Sequence, residues 1–304
     1  MLVRFAACAL AMAFCSQAVA QTPPVPAAQD EPTTLPDVVV SGDDLERLAQ
    51  TFVEGLAAPA RDRGLARWES KLCLGAVNFR SEMAHQLIDH ISDVAQEIGV
   101  ELDEPGCDLR PSGPNVLIVG TDDGRELASA LVGQNRRQFR YGYTRSNRGP
   151  RALEEFQTSE AAVRWWHISL PYNTETGTVA IRLPGRGPVN WPCRRRWGDR
   201  NCDAVNDRLI RSLIIVDLAT LPEMSFNQLG DYLAVLTLAQ VDPRTDFTPF
   251  DTVLNVVEHP GSVEGLTEWD RNYLQALYAG KSQRLDADEQ AAALAERMRG
   301  GASD

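Results

Sequence analysis

The sequence predicts an α+β fold: a single domain in which a small mixed sheet packs on helices. Three observations carry this. Helix-like and strand-like patterns follow one another without alternating as β-α-β units. The stretch Ser225–Gln240 (SFNQLGDYLAVLTLAQ) is apolar nearly all the way round a helix, which marks a helix enclosed by a core. Runs such as Asn115–Gly120 (NVLIVG) are short and apolar, as buried strands are.

The chain starts with a basic residue, Arg4, an apolar run from Phe5 to Phe14, and Ala18-Val19-Ala20 before Gln21. This pattern predicts a secretory signal peptide over 1–20, cleaved after Ala20. The run is about 10 residues, half of the roughly 20 that a spanning helix needs. Cys15 follows Phe14, where a lipoprotein site would have a small residue, so release into the periplasm or the medium is expected. No later stretch reaches about 18 unbroken apolar residues, so no membrane span is expected. Residues 21–44 are rich in Pro, Ala and acids and read as a disordered leader. Within it Asp37–Gly42 (DVVVSG) looks like a segment near the mature N terminus of many TonB-dependent receptors.

From Asp44 a helix carries Leu45, Leu48, Phe52 and Leu56 on one stripe, and Pro59 ends it. Trp68 and Cys73–Phe79 are extended. Ser81 then caps a helix with Met83, Leu87, Ile91, Val94 and Ile98 on one face, and Gly99 stops it. A turn at Pro105-Gly106-Cys107 leads to the strand at 115–120. Asp122 and Asp123 cap a helix bearing Leu127 and Leu131. Residues 135–160 lack periodicity and read as a surface excursion. Val163–Leu170 and Thr178–Leu183 are β-like, and the intervening YNTETG predicts a hairpin. A strand over Leu209–Asp217 precedes the central helix. Ser225-Phe-Asn-Gln228 is a capping box and Thr267-Glu-Trp-Asp270 a near match. The domain is expected to span 45–280, a size at which one core suffices; residues 281–304 read as a polar helical tail that packs weakly.

Cys73, Cys107, Cys193 and Cys202 remain after the signal, an even number for an oxidising compartment. Four cysteines allow three pairings. Cys193 and Cys202 flank a tight loop and are expected to pair locally, leaving Cys73 with Cys107. The spacings of 34, 86 and 9 contain none of the close pairs of a four-cysteine zinc site. The net charge of −12 is uneven: from Arg136 to Arg211 there are 15 Arg and no Lys against seven acids, a net of +8, so the remainder carries −20. Nucleic acid is a poor partner for an exported acidic protein.

The order of a buried helix, a loop, a short Val253-Leu-Asn run and Leu266-Thr-x-x-Asp270 through Leu277-Tyr278 resembles the C-terminal half of zincin-like metalloprotease domains of the metzincin type. In those the buried helix carries H-E-x-x-H. The resemblance is one of layout over roughly 55 residues, and it implies a zincin-like fold. The mature chain also resembles a family of uncharacterised secreted alphaproteobacterial proteins, on Arg67-Trp68 with Cys73, Pro105-Gly-Cys107, Asn115–Val119, Arg164–His167, Asp231–Val235 and Leu266–Tyr278; that family carries no catalytic residues over. A zincin needs two His one turn apart and a Glu beside the first. The positions on this helix are Asp231, Tyr232 and Val235, so no zinc and no other cofactor is expected on it.

No Ser-His-Asp arrangement, phosphate loop or other catalytic motif is present, and no catalytic residue is assigned. His85 and Asp89 lie one turn apart but off the apolar stripe of their helix. The ligand-binding candidates are Arg164, Trp166 and His167 on a predicted strand, and Arg194, Arg195, Arg196, Trp197 and Arg200 in the loop between Cys193 and Cys202. Alternation places Arg164 and Trp166 on one face, Trp165 and His167 on the other. Arg offers a planar fork for phosphate or carboxylate. The leading expectation is a non-enzymatic envelope protein that binds or scaffolds through this Arg/Trp-rich surface, with an anionic envelope component or an envelope protein as partner. The rival expectations are a hydrolase of unrecognised type acting on an envelope polymer, and an accessory factor of an outer-membrane uptake system.

Overall fold

The computed structural model describes residues 42–56, 65–139, 149–173, 177–182, 188–189, 205–279 and 287–301. Over them the protein is a mixed α+β fold with seven helices and one four-stranded mixed sheet. The sheet order is β1 (Leu74–Val77), β2 (Val116–Thr121), β6 (Val205–Asp217), β3 (Val163–Asn173). The first three strands are parallel, and β3 runs antiparallel to β6 at the far edge. A separate two-stranded ribbon pairs β4 (Ile181–Arg182) with β5 (Pro188–Val189).

Each face of the sheet is apolar and each is covered. On one face Val116, Ile118, Trp165, Ile214 and Val216 join the main core with α1 (Gly42–Leu56), α2 (Ser81–Glu97), α5 (Phe226–Leu238), α6 (Glu268–Ala279) and α7 (Ala287–Gly301). On the other, Trp166 and Ile215 meet α3 (Gly124–Gln134) and α4 (Gly149–Thr158) in a smaller cluster with Phe139 and Phe156. Strand alternation forces this split, since neighbouring side chains point to opposite faces.

Several local expectations hold. Ser225 accepts from Gln228 N while the Gln228 side chain accepts from Ser225 N, completing the capping box of α5. The side chain of Asp123 caps α3 by accepting from Glu126 N at 2.8 Å. Gly99 ends α2 with φ of 80°, a conformation that costs glycine nothing. Cys73 and Cys107 are bonded. The Cys193–Cys202 pairing lies outside the described residues.

Four features differ from expectation. Ser81 is the first residue of α2 and not its cap; the N-cap is Arg80, with no side-chain bond. β1, α2 and β2 form a β-α-β unit, its strands parallel and adjacent. α4 lies in the stretch read as an excursion: ten residues are too few for a long apolar period, and only Ala152 and Phe156, one turn apart, are buried. The hairpin after β3 is shorter than expected: Tyr172 bridges Val179, with Asn173 N donating to the Thr178 carbonyl and Ala180 N to that of Pro171, each at 2.8 Å, while β6 pairs along the other edge of β3.

α1 is covered almost entirely from the far end of the chain. Phe52 meets the rings of Phe250, Trp269 and Tyr273 edge-on at 5.0, 5.4 and 5.5 Å. Asp242 N donates to the Leu56 carbonyl at 2.8 Å, and the Thr245 hydroxyl to that of Gly55. α1 also packs against α7, whose Ala291, Leu294, Ala295 and Met298 are buried in the main core, so this helix is part of the fold and not the weakly packed polar tail expected over 281–304.

Candidate functional site

Of the candidates on β3, His167 reaches the buried helix α5. Ten of its residues, Leu229 through Leu238, are buried. A helix leaves its last carbonyls without intrahelical donors, and a buried end must find them elsewhere. Here side chains supply them. His167 Nε2 donates to the Leu236 carbonyl at 2.8 Å, Trp68 Nε1 to that of Thr237 at 2.7 Å, and the Tyr278 hydroxyl to that of Leu238 at 2.7 Å. Just beyond, Trp165 Nε1 donates to Val241 at 2.8 Å. These aromatic donors come from β3, α6 and the segment before β1, and they seal the helix end inside the core.

The predicted strand candidates therefore face inward. His167 is 4% exposed and ties β3 to α5. Trp166 is buried beside Phe139 and Phe156, at 6.1 and 5.9 Å between ring centres. Arg164 is buried too, and its guanidinium donates to the carbonyls of Ser159 and Ala161, both at 3.0 Å. Burial pulls that guanidinium below its usual pKa, partly countered by Asp217. The two faces of β3 are as alternation predicts, but all three side chains work within the fold. Arg194, Arg195, Arg196, Trp197 and Arg200 lie outside the described residues.

Asp231, Tyr232 and Val235 of α5 are all buried. Tyr232 is buried, which raises its phenol well above the usual range. Val235 is buried as well. Asp231 Oδ1 accepts from His90 Nε2 at 2.6 Å, and Oδ2 accepts from Leu266 N at 2.7 Å. No group of three or more His, Cys, Asp or Glu able to hold a metal occurs among the described residues. His85 and Asp89 both line a groove on the outer side of α2.

The His90–Asp231 pair is the arrangement that sequence reasoning did not assemble. It lies at the bottom of a shallow depression of about 430 Å³ that also holds Asp93, Glu97, Glu264 and Arg271. The lining contains no Ser, Thr or Cys for such a pair to activate. Two glycines make room for it. A Cβ at Gly230 would come within 2.7 Å of the His90 ring, and one at Gly265 within 2.5 Å of Asp231 Oδ2. The signal was present in part: a glycine in mid-helix next to a buried acid requires a packing reason. The missing half was non-local, since 141 residues separate the partners.

A second crevice, about 600 Å³, opens at the carboxyl ends of β2 and β6 beside Asp122, Asp123, Glu160 and Asp217. Ligand sites in open parallel sheets favour this place. Here the acids have structural duties: Asp123 caps α3, and Asp217 accepts from Gly124 N at 2.8 Å and from Ala219 N at 3.1 Å. No family model matches the chain, and no curated protein or solved structure matches it.

Proposed function

We propose that this is an exported protein of the Gram-negative envelope that acts by binding and not by catalysis, on a degenerate zincin-like scaffold. One observation carries the reading. On the buried helix α5, Asp231 has both oxygens occupied by His90 and Leu266, while Tyr232 and Val235 are core residues. The layout supports the ancestry: α5 is followed by a single 3-10 turn at Val253–Asn255 and then by α6, whose first turn is tied by reciprocal bonds between Thr267 and Asp270. No helix among the described residues is long and apolar enough to cross a membrane.

The binding surface in this proposal is the Arg194–Arg200 loop with Trp197, and the ligand an anionic envelope component. Electrostatic binding of this kind weakens as salt shortens the screening length from about 10 Å at 0.1 M to about 3 Å at 1 M. The test uses the mature protein with vesicles containing lipid A. Binding is expected, reduced by salt and by replacing Arg194, Arg195 and Arg196 together with Ala. Binding that ignores the triple replacement overturns the assignment. Metal content of protein purified from periplasm tests the other half: stoichiometric zinc that disappears on changing His85 or His167 overturns the non-enzymatic reading.

A further inference from the structure

We propose that the outer edge of β1 is a docking slot for an extended protein segment in which apolar and basic residues alternate. The peptide groups of β1 alternate in direction along the strand. Val116 N donates to the Cys73 carbonyl at 3.1 Å, so Cys73, Gly75 and Val77 turn their peptide groups toward β2. By the alternation of a strand, Leu72, Leu74 and Ala76 turn theirs outward. At Leu72 the chain supplies a partner of its own. Leu72 N donates to the Glu101 carbonyl and Asp103 N to the Leu72 carbonyl, each at 2.8 Å, a parallel bridge centred on Leu102. The chain then leaves the edge through Pro105 and Gly106 into the 3-10 turn Cys107–Leu109, which the disulfide to Cys73 holds in place. Alongside Leu74 and Ala76 no strand follows among the described residues. One place of an added strand is filled and the next two are left open.

The space beside them suits a strand. A groove of about 820 Å³ runs along β1 between α2 and the 102–109 segment. Leu72, Leu74, Phe79, Ile88 and Leu102 give it apolar walls, and Leu109 at its margin is 85% exposed. Asp89, Asp93, Asp103, Glu104 and Asp108 line it, with His85 as the one basic residue. Asp103 is paired with Arg110 at 2.7 Å; the other four carboxylates form no ion pair among the described residues. An extended segment that adds to a sheet edge gains main-chain hydrogen bonds there and specificity from its alternate side chains. Unpaired amides, apolar walls and uncompensated carboxylates together select a strand with apolar residues on one side and Lys or Arg on the other. None of these residues belongs to the Arg194–Arg200 loop.

The probe is an acetylated, amidated octapeptide of alternating Val and Lys, titrated into the mature protein, with the Val/Glu octapeptide as control. The Val/Lys peptide is expected to bind, and hydrogen exchange at the Leu74 and Ala76 amides to slow when it does. Ala76→Pro removes one outward N–H without touching the β2 ladder, a substitution that edge strands tolerate. It is expected to weaken binding about five-fold or more, the share of one hydrogen bond. Asp89→Asn with Asp93→Asn is expected to weaken it by about two- to five-fold per carboxylate, as exposed ion pairs do. If Ala76→Pro unfolds the protein, the carboxylate variants and the exchange measurement decide. The proposal is overturned by absence of binding at millimolar peptide, by equal binding of the Val/Glu peptide, or by binding that leaves Leu74 and Ala76 exchange unchanged. Concentration-dependent self-association that Ala76→Pro abolishes overturns it in favour of a second copy of this chain.

Discussion

Gly230→Ala should destabilise the protein in the native background and stabilise it once His90 is gone. Gly230 lies inside α5, and replacing an interior helical glycine by alanine ordinarily gains about 1 kcal/mol. Here the added Cβ meets the His90 ring at 2.7 Å. His90 is partly exposed and can swing outward, but only by giving up its 2.6 Å bond to Asp231. Losing a hydrogen bond to a charged group costs about 1.5–3 kcal/mol. The balance is a net loss of about 0.5–2 kcal/mol for Gly230→Ala alone. In a His90→Ala background the obstacle is absent, and the same change should add up to about 1 kcal/mol. The double-mutant cycle therefore predicts a coupling of about 1.5–3 kcal/mol and a reversal of sign. Urea denaturation followed by circular dichroism, with midpoints compared at constant slope, reads both quantities. If Gly230→Ala shifts the midpoint equally in both backgrounds, the glycine is not there for the His90–Asp231 contact, and the reasoning fails.

Three further outcomes follow from the same geometry. His167→Phe preserves ring volume but leaves the buried Leu236 carbonyl without its donor, so it should cost about 1–3 kcal/mol in urea while vesicle binding stays unchanged; lost binding with full stability would return His167 to a ligand role. Replacing Cys73 and Cys107 with Ala opens a 34-residue loop, for which the chain-entropy relation gives about 3.8 kcal/mol, measurable as the difference in unfolding free energy. Asp270 is buried, and burial raises its carboxyl above the usual 3.8 despite the opposing hydrogen bonds from Thr252, Val253 and Thr267. Its protonated form is favoured by the fold, so its contribution is greatest below pH 3.8 and is lost as pH rises through the higher folded value. The stability of Asp270→Asn relative to the parent should therefore improve between pH 4 and pH 7; a constant difference would show that the carboxyl does not titrate with the fold.

Much of this architecture could be read from local pattern. The enclosure of α5 followed from apolar residues around its whole circumference. The α2 stripe, the Ser225 box and the alternation in Val163–Ile168 are short-range signals with counterparts in the structure, except that Met83 of the stripe is exposed and Ala84 and Ala95 are buried with Leu87, Ile91 and Val94. What the letters concealed was pairing across distance. The union of β3 with β6 depends on two strands whose paired residues lie as much as 53 positions apart, Val163 opposite Val216, with a long stretch between them. Arg164 looked available because an isolated strand shows no partner, whereas the carbonyls that hold it come from the end of α4 and the turn after it. His167 carried the same ambiguity: imidazole serves a ligand or a backbone carbonyl equally well, and only the position of the α5 terminus decides between them. The His90–Asp231 contact needed two helices to be placed first.

The coverage of α1 by Phe250, Trp269, Tyr273 and α7 has a consequence for the order in which the molecule is completed. The first helix of the fold finds its neighbours only after residues beyond 240 have arrived. A chain delivered from its N terminus, from a ribosome or through a translocation pore, keeps Ala49, Phe52, Val53 and Leu56 uncovered until the last helix emerges. Contacts of such high sequence separation form late and slowly. This delay would favour passage across a membrane in an unfolded state and would make the newly delivered N-terminal half a client for holding chaperones. Truncating α7 should accordingly prolong that exposure and leave the leading helix without its closing partner.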